Sequence, residues 1–409
     1  VVIVLLDDVG FGTCSTFGGP VPTPALDRVA KEGLRFNQFH TTALCSPTRA
    51  AMLTGRNHHA VHMGGIAEGG SAFPGYDCII PREAASVAEV LKLSGYSTAA
   101  FGKWHLTPLR EQSLTGPYDR WPMGLGFERF YGILSAEASQ YEPPMFDQTT
   151  PVIPYEHNER YHMTEDIADR AINWMRLQRS SNPHRPFFAY FATGAMHCPH
   201  HVWPEWADKF KGQFDDGWDA LRERIYERQL KLGVIPKGTV LTPRPAEIPS
   251  WSDYPDKYKP AARRLMEVFA GFMAHTDAQV GRLLDALDEL GVADNTIVLY
   301  VSDNGWIQNP DAPRYAAKSK QSQYDGGLRS PIMVRWPAQV KPRQSPHLAQ
   351  SIDFLPTVLK AVGIAAPAGL PGLNLLDDTA VAARTTLYGE CFTHNYVDIQ
   401  NPALTPLNP

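Results

Sequence analysis

The sequence predicts an α/β fold: a mostly parallel or mixed central sheet with helices on both faces, and a small, incomplete α+β part at the C-terminal end. Three observations carry this. Short unbroken apolar runs, "VVIVLL" and "PFFAYFATG" among them, read as strands buried on both faces. Segments of helical periodicity separate them. Two of the runs end in acidic or amide pairs, "LLDDVG" and "LYVSDNG", at the strand ends where open parallel sheets hold their ligands.

Taken in order, Val1–Leu6 is a strand. It is far short of the ~20 residues of a membrane span, and it lacks the basic flank and cleavage site of a signal peptide. "TPALDRVAKEG" is a helix with Thr23 as N-cap, Pro24 at the first helical position and Gly33 as its stop. In "CSPTRAAMLTG", Cys45 or Ser46 caps, Pro47 sits at or near the first helical position, and the helix runs to Gly55. "SVAEVLKLSG" is a helix closed by Gly95, and the strand-like "YSTAAFG" follows. "TEDIADRAINWMRLQ" is a helix with acids in its first turn, where the macrodipole favours them. "PFFAYFATG" is a strand; the run from Ala261 to Gly291 is one long helix or two; "NTIVLYVSDNG" and "PIMVRWP" are strands. "SIDFLPTVLKAVG" is a helix broken or kinked near Pro356.

One domain is expected over residues 1–365, with a Pro-, Trp- and charge-rich insertion at about 203–258 wrapping the core. Residues 366–409 are expected to form a partial subdomain or tail: "TTLYGECFTHNYVDIQ" opens a small sheet and "NPALTPLNP" is unstructured. A net charge of −5 supplies no basic field for a nucleic acid partner. The five cysteines (Cys14, Cys45, Cys78, Cys198 and Cys391) form no C-x-x-C pair, which argues against a disulfide framework or a zinc knuckle.

Asp7, Asp8, Asp303 and Asn304 follow two buried strands, and parallel strands would bring them to one sheet edge. Oxygen-only donors suit Ca²⁺ or Mg²⁺ rather than zinc. Each pair taken alone is equally a turn or a helix cap. Cys45 begins a helix, where the dipole favours an anion, and Arg49 leans back toward that end. A buried thiol beside a surface arginine fits the same pattern. Lys103 and His105 flank Trp104 after a strand, a spacing that also suits an exposed strand end. His197 precedes Cys198, His200 and His201, but no partner pair stands at zinc spacing. His58, His59 and His62 either solvate a loop or line a substrate mouth, the loop being favoured.

These motifs, in this order, resemble the sulfatase family. "CSPTRAAMLTGR" matches its C-x-P-x-R signature through Cys45, Pro47 and Arg49, and "DDVGFG", "GKWHL", "TGAMHCPHH", "VSDNG" and "KSKQSQYDGG" match its other segments. "GRNHHAVHMGG" and "GPYDRWPMGLGFERFYG" look most like bacterial arylsulfatases. The resemblance implies the alkaline phosphatase-like fold and hydrolysis of aryl or carbohydrate sulfate esters. It implies that a maturase partner converts Cys45 to formylglycine, whose hydrate is the nucleophile. It assigns Asp7, Asp8, Asp303, Asn304 and residue 45 to a divalent ion, Ca²⁺ with Mg²⁺ as alternative. Lys103 and Lys320 would neutralise sulfate oxygens, His197 would protonate the leaving oxygen, His105 would take the hydrate's second proton, and Arg49 would hold the alkoxide. A periplasmic or secreted location is the family expectation, with the cytoplasm as alternative. The competing readings are a phosphonate monoester or phosphodiester hydrolase using the same site, and a silent homologue whose cysteine is never oxidised.

Overall fold

The computed structural model describes residues 1–246, 248–305 and 319–390. Its strands are β1 (Val2–Leu6), β2 (Gly33–His40), β3 (Ser97–Lys103), β4 (Arg129–Ile133), β5 (Met145–Asp147), β6 (Thr150–Val152), β7 (Phe187–Ala192), β8 (Val298–Ser302), β9 (Ile332–Arg335) and β10 (Arg343–Gln350). They form one mixed sheet in the order β10-β2-β9-β8-β1-β7-β3-β4-β5-β6. The centre is parallel: β1 pairs with β7 and β8, and β3 with β7 and β4. β9 runs antiparallel to both β8 and β2.

The helices are α1 (Pro24–Lys31), α2 (Cys45–Thr54), α3 (Val87–Leu93), α4 (Met163–Ser181), α5 (Pro204–Ala207), α6 (Gly217–Leu232), α7 (Lys259–Glu289), α8 (Asp325–Leu328), α9 (Phe354–Ala361) and α10 (Asp378–Ala382). The two faces of the sheet carry separate cores. Val2, Val4 and Leu6 of β1 pack with residues of α1, α4 and α7, such as Val29, Ile167 and Leu283. Ile3 and Leu5 point the other way, toward residues of α2, α3 and α9, such as Leu53, Leu91 and Leu355. The period-2 alternation of one fully buried strand thus feeds both layers.

Several boundaries differ from expectation for physical reasons. Gly33 does not stop α1. Glu32 ends that helix and Gly33 opens β2, where a Cβ would lie 2.3 Å from the Val334 carbonyl oxygen of β9. Thr23 makes no side-chain cap bond; the N–H groups of Ala25 and Leu26 donate instead to Asp277 of α7. Neither Cys45 nor Ser46 is the cap of α2: Leu44 holds that place, Cys45 is the first helical residue, and Ser46 Oγ accepts from the Ala67 N–H. Gly55 closes α2 in the left-handed conformation (φ 64°), as the sequence indicated. Pro356 neither breaks nor kinks a helix: it lies in the first turn of α9, where its missing N–H is not needed. The long segment is one helix, α7.

The stretch from 203 to 258 folds as α5, α6 and connecting turns, with Trp218, Trp251 and Tyr254 packed on one another. Beyond α9 the described chain holds α10, whose flank is tied down by Arg384 donating to both oxygens of buried Asp353 (2.6 and 2.8 Å). Residues 385–390, the described start of the expected C-terminal sheet, form no strand; the rest of that segment, Cys391 and the final "NPALTPLNP" lie outside the described residues.

Candidate active site

The C-terminal ends of β1, β7, β8 and β3 share one edge because these strands are parallel neighbours. Backbone bonds lock the segments that leave them: Asp7 N–H donates to Ala195 O (2.9 Å), Met196 N–H to Asp7 O (2.7 Å) and Asp303 N–H to Leu6 O (3.1 Å). Ser302 Oγ accepts from Val9 N–H at 2.9 Å and donates to Asn304 O at 3.0 Å, pinning both acidic turns. Asp8 and His105 hold left-handed backbone, φ 57° and 56°, a conformation that costs side-chain-bearing residues on the order of 1 kcal/mol each.

Three buried cations face three buried carboxylates. Arg49 donates through Nε (3.0 Å) and Nη2 (2.9 Å) to Asp303 Oδ2, through Nη2 to Asp7 (3.3 Å) and through Nη1 to the Lys103 carbonyl (2.7 Å). Lys103 Nζ lies against Asp7 Oδ2, and Lys320 Nζ is 2.7 Å from Asp8 Oδ1. Burial alone would raise the Asp7 carboxyl, but Lys103, His197, Arg49 and Lys320 together hold it well below the usual range. Burial and the charge of Asp7 push Asp303 the other way. For Lys320, burial opposes the charge, yet Asp8 and the surrounding anions keep the ammonium firmly protonated.

Cys45 sits at the N-terminus of α2, buried beside the His105 ring. Burial would raise its thiol; Lys103, Lys320 and His105 outweigh that and lower it to about 6. His105 Nε2 is 2.7 Å from Glu68 Oε2. Burial would discharge this ring, but Cys45 and Glu68 raise it to about 9. His197 Nδ1 donates to the Cys198 carbonyl (2.8 Å), so its Nε2 faces Asp8 Oδ2 at 3.8 Å. The family model for Sulfatase matches residues 1–364.

The chain belongs to the sulfatase family. It is 28% identical to an uncharacterized sulfatase of Schizosaccharomyces pombe (90% of this chain, 75% of the relative). It is also 28% identical to an arylsulfatase of Klebsiella aerogenes (75% and 66%) and to the human N-acetylgalactosamine-6-sulfatase (92% and 65%). The chain thus spans about two thirds of the length of the latter two. Among solved structures, BT4656 in complex with D-glucosamine-2-N,6-O-disulfate superposes with a TM-score of 0.65 at 22% identity, covering 93% of this chain and 79% of that one. A phosphonate monoester hydrolase from Silicibacter pomeroyi superposes at 0.59 and 18%, covering 92% and 75%. Both likenesses bear on the fold.

In this sulfatase-family chain, all ten residues singled out from the sequence (Asp7, Asp8, Cys45, Arg49, Lys103, His105, His197, Asp303, Asn304 and Lys320) converge on the sheet edge. Family metal chemistry can be tested on their free atoms. Asp7 Oδ1, Asp8 Oδ2 and Asn304 Oδ1 are buried and accept no hydrogen bond among the described residues. Three hard oxygens left bare at such a cost fit a divalent ion of the Ca²⁺ or Mg²⁺ type. Asp7, Asp8 and His197 each bring one ligand atom within 4.8 Å of the others. Cys45 and Asp303 join no such trio among the described residues. Of the Asp303 oxygens, Oδ2 accepts twice from Arg49, while Oδ1 accepts from the Asp8 N–H (3.3 Å) and keeps a second lone pair.

The sequence reading missed Glu68, which orients His105 from a loop 37 residues away, and Ser302, which stands beside Asp303 and could have been noticed as a turn pin. The histidines after α2 do not simply solvate a loop. His58 is buried, His59 Nε2 lies 3.0 Å from Tyr76 Oη, and His62 Nδ1 lies 3.0 Å from Asp77. His200 and His201 diverge from His197, the former against Phe269 and the latter stacked on Tyr141. No helix of the described residues is long and apolar enough to cross a membrane.

Proposed function

We propose that the chain hydrolyses sulfate esters, aryl or carbohydrate, to an alcohol and sulfate. The observation that carries this is the meeting of Cys45, at a helix N-terminus, with the acidic ends of β1 and β8 inside a ring of Lys103, Lys320, His105 and Arg49. A formylglycine made from Cys45 by a dedicated maturase would supply the oxygen nucleophile. A divalent ion held by Asp7, Asp8, Asn304 and Asp303 would supply acidification of that nucleophile and neutralisation of sulfate charge.

The chain's own residues do the rest. Lys103 and Lys320, buried and fixed in place, offset the ester's negative charge and the charge that grows on it in the transition state. His197 presents Nε2 from the loop after β7 and, when protonated, delivers a proton to the leaving oxygen. His105, oriented by Glu68, takes a proton from the residue-45 side of the pocket during release of sulfate. General acid–base help of this kind contributes ~10²–10⁴-fold per group. Arg49 stabilises negative charge near residue 45 while bracing Asp303.

The test uses protein made in a host with the maturase. Mass spectrometry of the peptide spanning Cys45 is expected to show the thiol carbon oxidised to an aldehyde. Turnover of 4-nitrophenyl sulfate is expected to exceed that of a phenylphosphonate ester. Faster phosphonate turnover would move the assignment to phosphonate hydrolysis, and an unmodified cysteine in such protein would remove the enzymatic reading.

A further inference from the structure

A line of contacts runs from the buried end of the pocket to its rim. Lys320 Nζ, on a side chain only 3% exposed, meets Asp8. Asp8 Oδ2 lies 3.8 Å from His197 Nε2, on a side chain 11% exposed. Across the same ring, Nδ1 lies 3.7 Å from Glu137 Oε2, and the Glu137 side chain is 62% exposed. Exposure thus rises from the cations that would hold sulfate, through the histidine that would protonate the leaving oxygen, to Glu137. An ester with its sulfate on the buried lysines directs its alcohol portion toward the open end of this line.

Glu137 is held at that end by its loop, which follows β4. The Ala136 N–H donates at 3.1 Å to Glu68 Oε1, on the carboxylate whose other oxygen meets His105. Ser135 Oγ donates to the Glu137 carbonyl at 2.9 Å, and the Cys198 thiol donates to Glu137 Oε2 at 3.9 Å. Among the described residues no lysine or arginine forms an ion pair with Glu137, so no fixed cation cancels its charge. The buried lysines do not cancel it either, because Lys103 and Lys320 are paired with Asp7 and Asp8.

We propose that Glu137 is a charge filter for the leaving group. The favoured ester carries one sulfate on an alcohol portion that is neutral or bears an ammonium group. A carboxylate or second sulfate near the scissile oxygen is disfavoured. This rests on the sulfatase reading and narrows it, from sulfate esters at large to monosulfates without a further anion. A leaving oxygen hydrogen-bonded to Nε2 stands at most about 9 Å from Glu137 Oε2, the sum of 3.7 Å to Nδ1, the ring's width and one hydrogen bond. A charge farther out on the alcohol, toward the rim, comes closer. At about 6 Å in water-like surroundings, two unit charges change a rate constant about 3-fold, and more where the wall excludes water.

The experiment measures kcat/KM of the formylglycine-bearing full chain at low ionic strength on phenyl sulfate, 3-(sulfooxy)benzoate and tyramine O-sulfate. Their alcohol portions are phenols of similar acidity that are neutral, anionic and cationic. The parent is compared with Glu137→Gln and Glu137→Lys. Any effect of these substitutions through His197 acts on all three esters and cancels in their ratios. Relative to phenyl sulfate, Glu137→Gln is expected to raise the benzoate ester about 3-fold or more and to lower the tyramine ester by a similar factor. Glu137→Lys is expected to move both ratios further, and added salt to flatten them. Ratios that the substitutions leave unmoved, or that shift the same way for both charged esters, overturn the filter while the sulfatase reading stands. Turnover of none of the three by modified parent protein removes that reading, and the filter with it.

Discussion

Arg49 and Asp303, 254 residues apart, meet with no exposed atoms on either side chain: two guanidinium nitrogens donate to the same carboxylate oxygen at 2.9 and 3.0 Å. The pair ties the helix that carries Cys45 to the end of β8, and a third nitrogen reaches the end of β3 through the Lys103 carbonyl. Arg49 is thus both a brace and a charge. Removing one partner leaves an unpaired buried ion, and such losses cost about 3–5 kcal/mol. Arg49→Ala is expected to lower unfolding free energy by that order and to abolish turnover. Arg49→Lys, which offers a point charge in place of a fork, is expected to recover part of the stability and little of the rate. Denaturant melts of the two variants against the parent check this; equal stability of all three would refute the brace.

The three bare oxygens of Asp7, Asp8 and Asn304 make metal removal informative apart from activity. A chelator is expected to lower the thermal midpoint, and Ca²⁺ or Mg²⁺ to restore it. At 100-fold excess over the dissociation constant the gain is about 2.7 kcal/mol. Asn304→Ala removes one of the bare oxygens and the donor to Asp8 Oδ1. It is expected to reduce the metal-dependent gain. A parent protein whose midpoint is indifferent to both ions would contradict the oxygen site.

Asp277 makes a prediction about the fold. Its two oxygens accept the N–H groups of Ala25 (2.9 Å) and Leu26 (3.1 Å), so α7 caps α1 across 252 and 251 residues. Loss of an N-cap costs about 0.5–2 kcal/mol. Asp277→Ala is expected to fall at the upper end, because both N–H groups are left buried. Asp277→Asn keeps one acceptor and is expected to cost less. Urea titration of both variants measures the difference, and an Ala variant as stable as the parent would exclude the capping role.

The same residue shows where sequence reasoning stops. Thr23 has the right chemistry and position for a cap, and nothing local reveals that a carboxylate from the far end of the chain holds the place. The strand ends at Asp7, Asp8, Asp303 and Asn304 were legible because a fully buried parallel strand is a continuous apolar run, and polar pairs at its end stand out. β2 was not legible: "GLRFNQFH" carries a buried Asn37 and half-buried Arg35 and Gln38, and it is held by β9 and β10, which are remote in sequence. β10 was hidden by Pro346 and polar residues, which an edge strand tolerates. In the site, Lys320 was found only by motif likeness. Glu68 was not found at all, since its pairing with His105 depends on how two loops cross.

His162 yields the pH prediction. It caps α4: Nδ1 accepts from Thr164 N–H at 3.2 Å, and Nε2 donates to the His201 carbonyl at 3.1 Å. Both nitrogens are used by the neutral ring, so a second proton would break the cap. Burial, with His275 packed at 4.3 Å between ring centroids, lowers its pKa to about 3, against the pull of the His201 carbonyl and of Glu165, which pairs with His275. The unfolded histidine titrates near 6.5. Between those values the unfolded chain binds the extra proton, so the contribution is complete above about pH 6.5 and is lost as pH falls toward 3, at up to about 1.4 kcal/mol per pH unit. His162→Asn supplies an oxygen to the Thr164 N–H and cannot be charged. Its unfolding free energy is expected to fall less steeply than the parent's between pH 6 and 4, by a slope approaching one proton. Parallel slopes for the two proteins in denaturant titrations across that window would show that His162 carries none of the acid sensitivity.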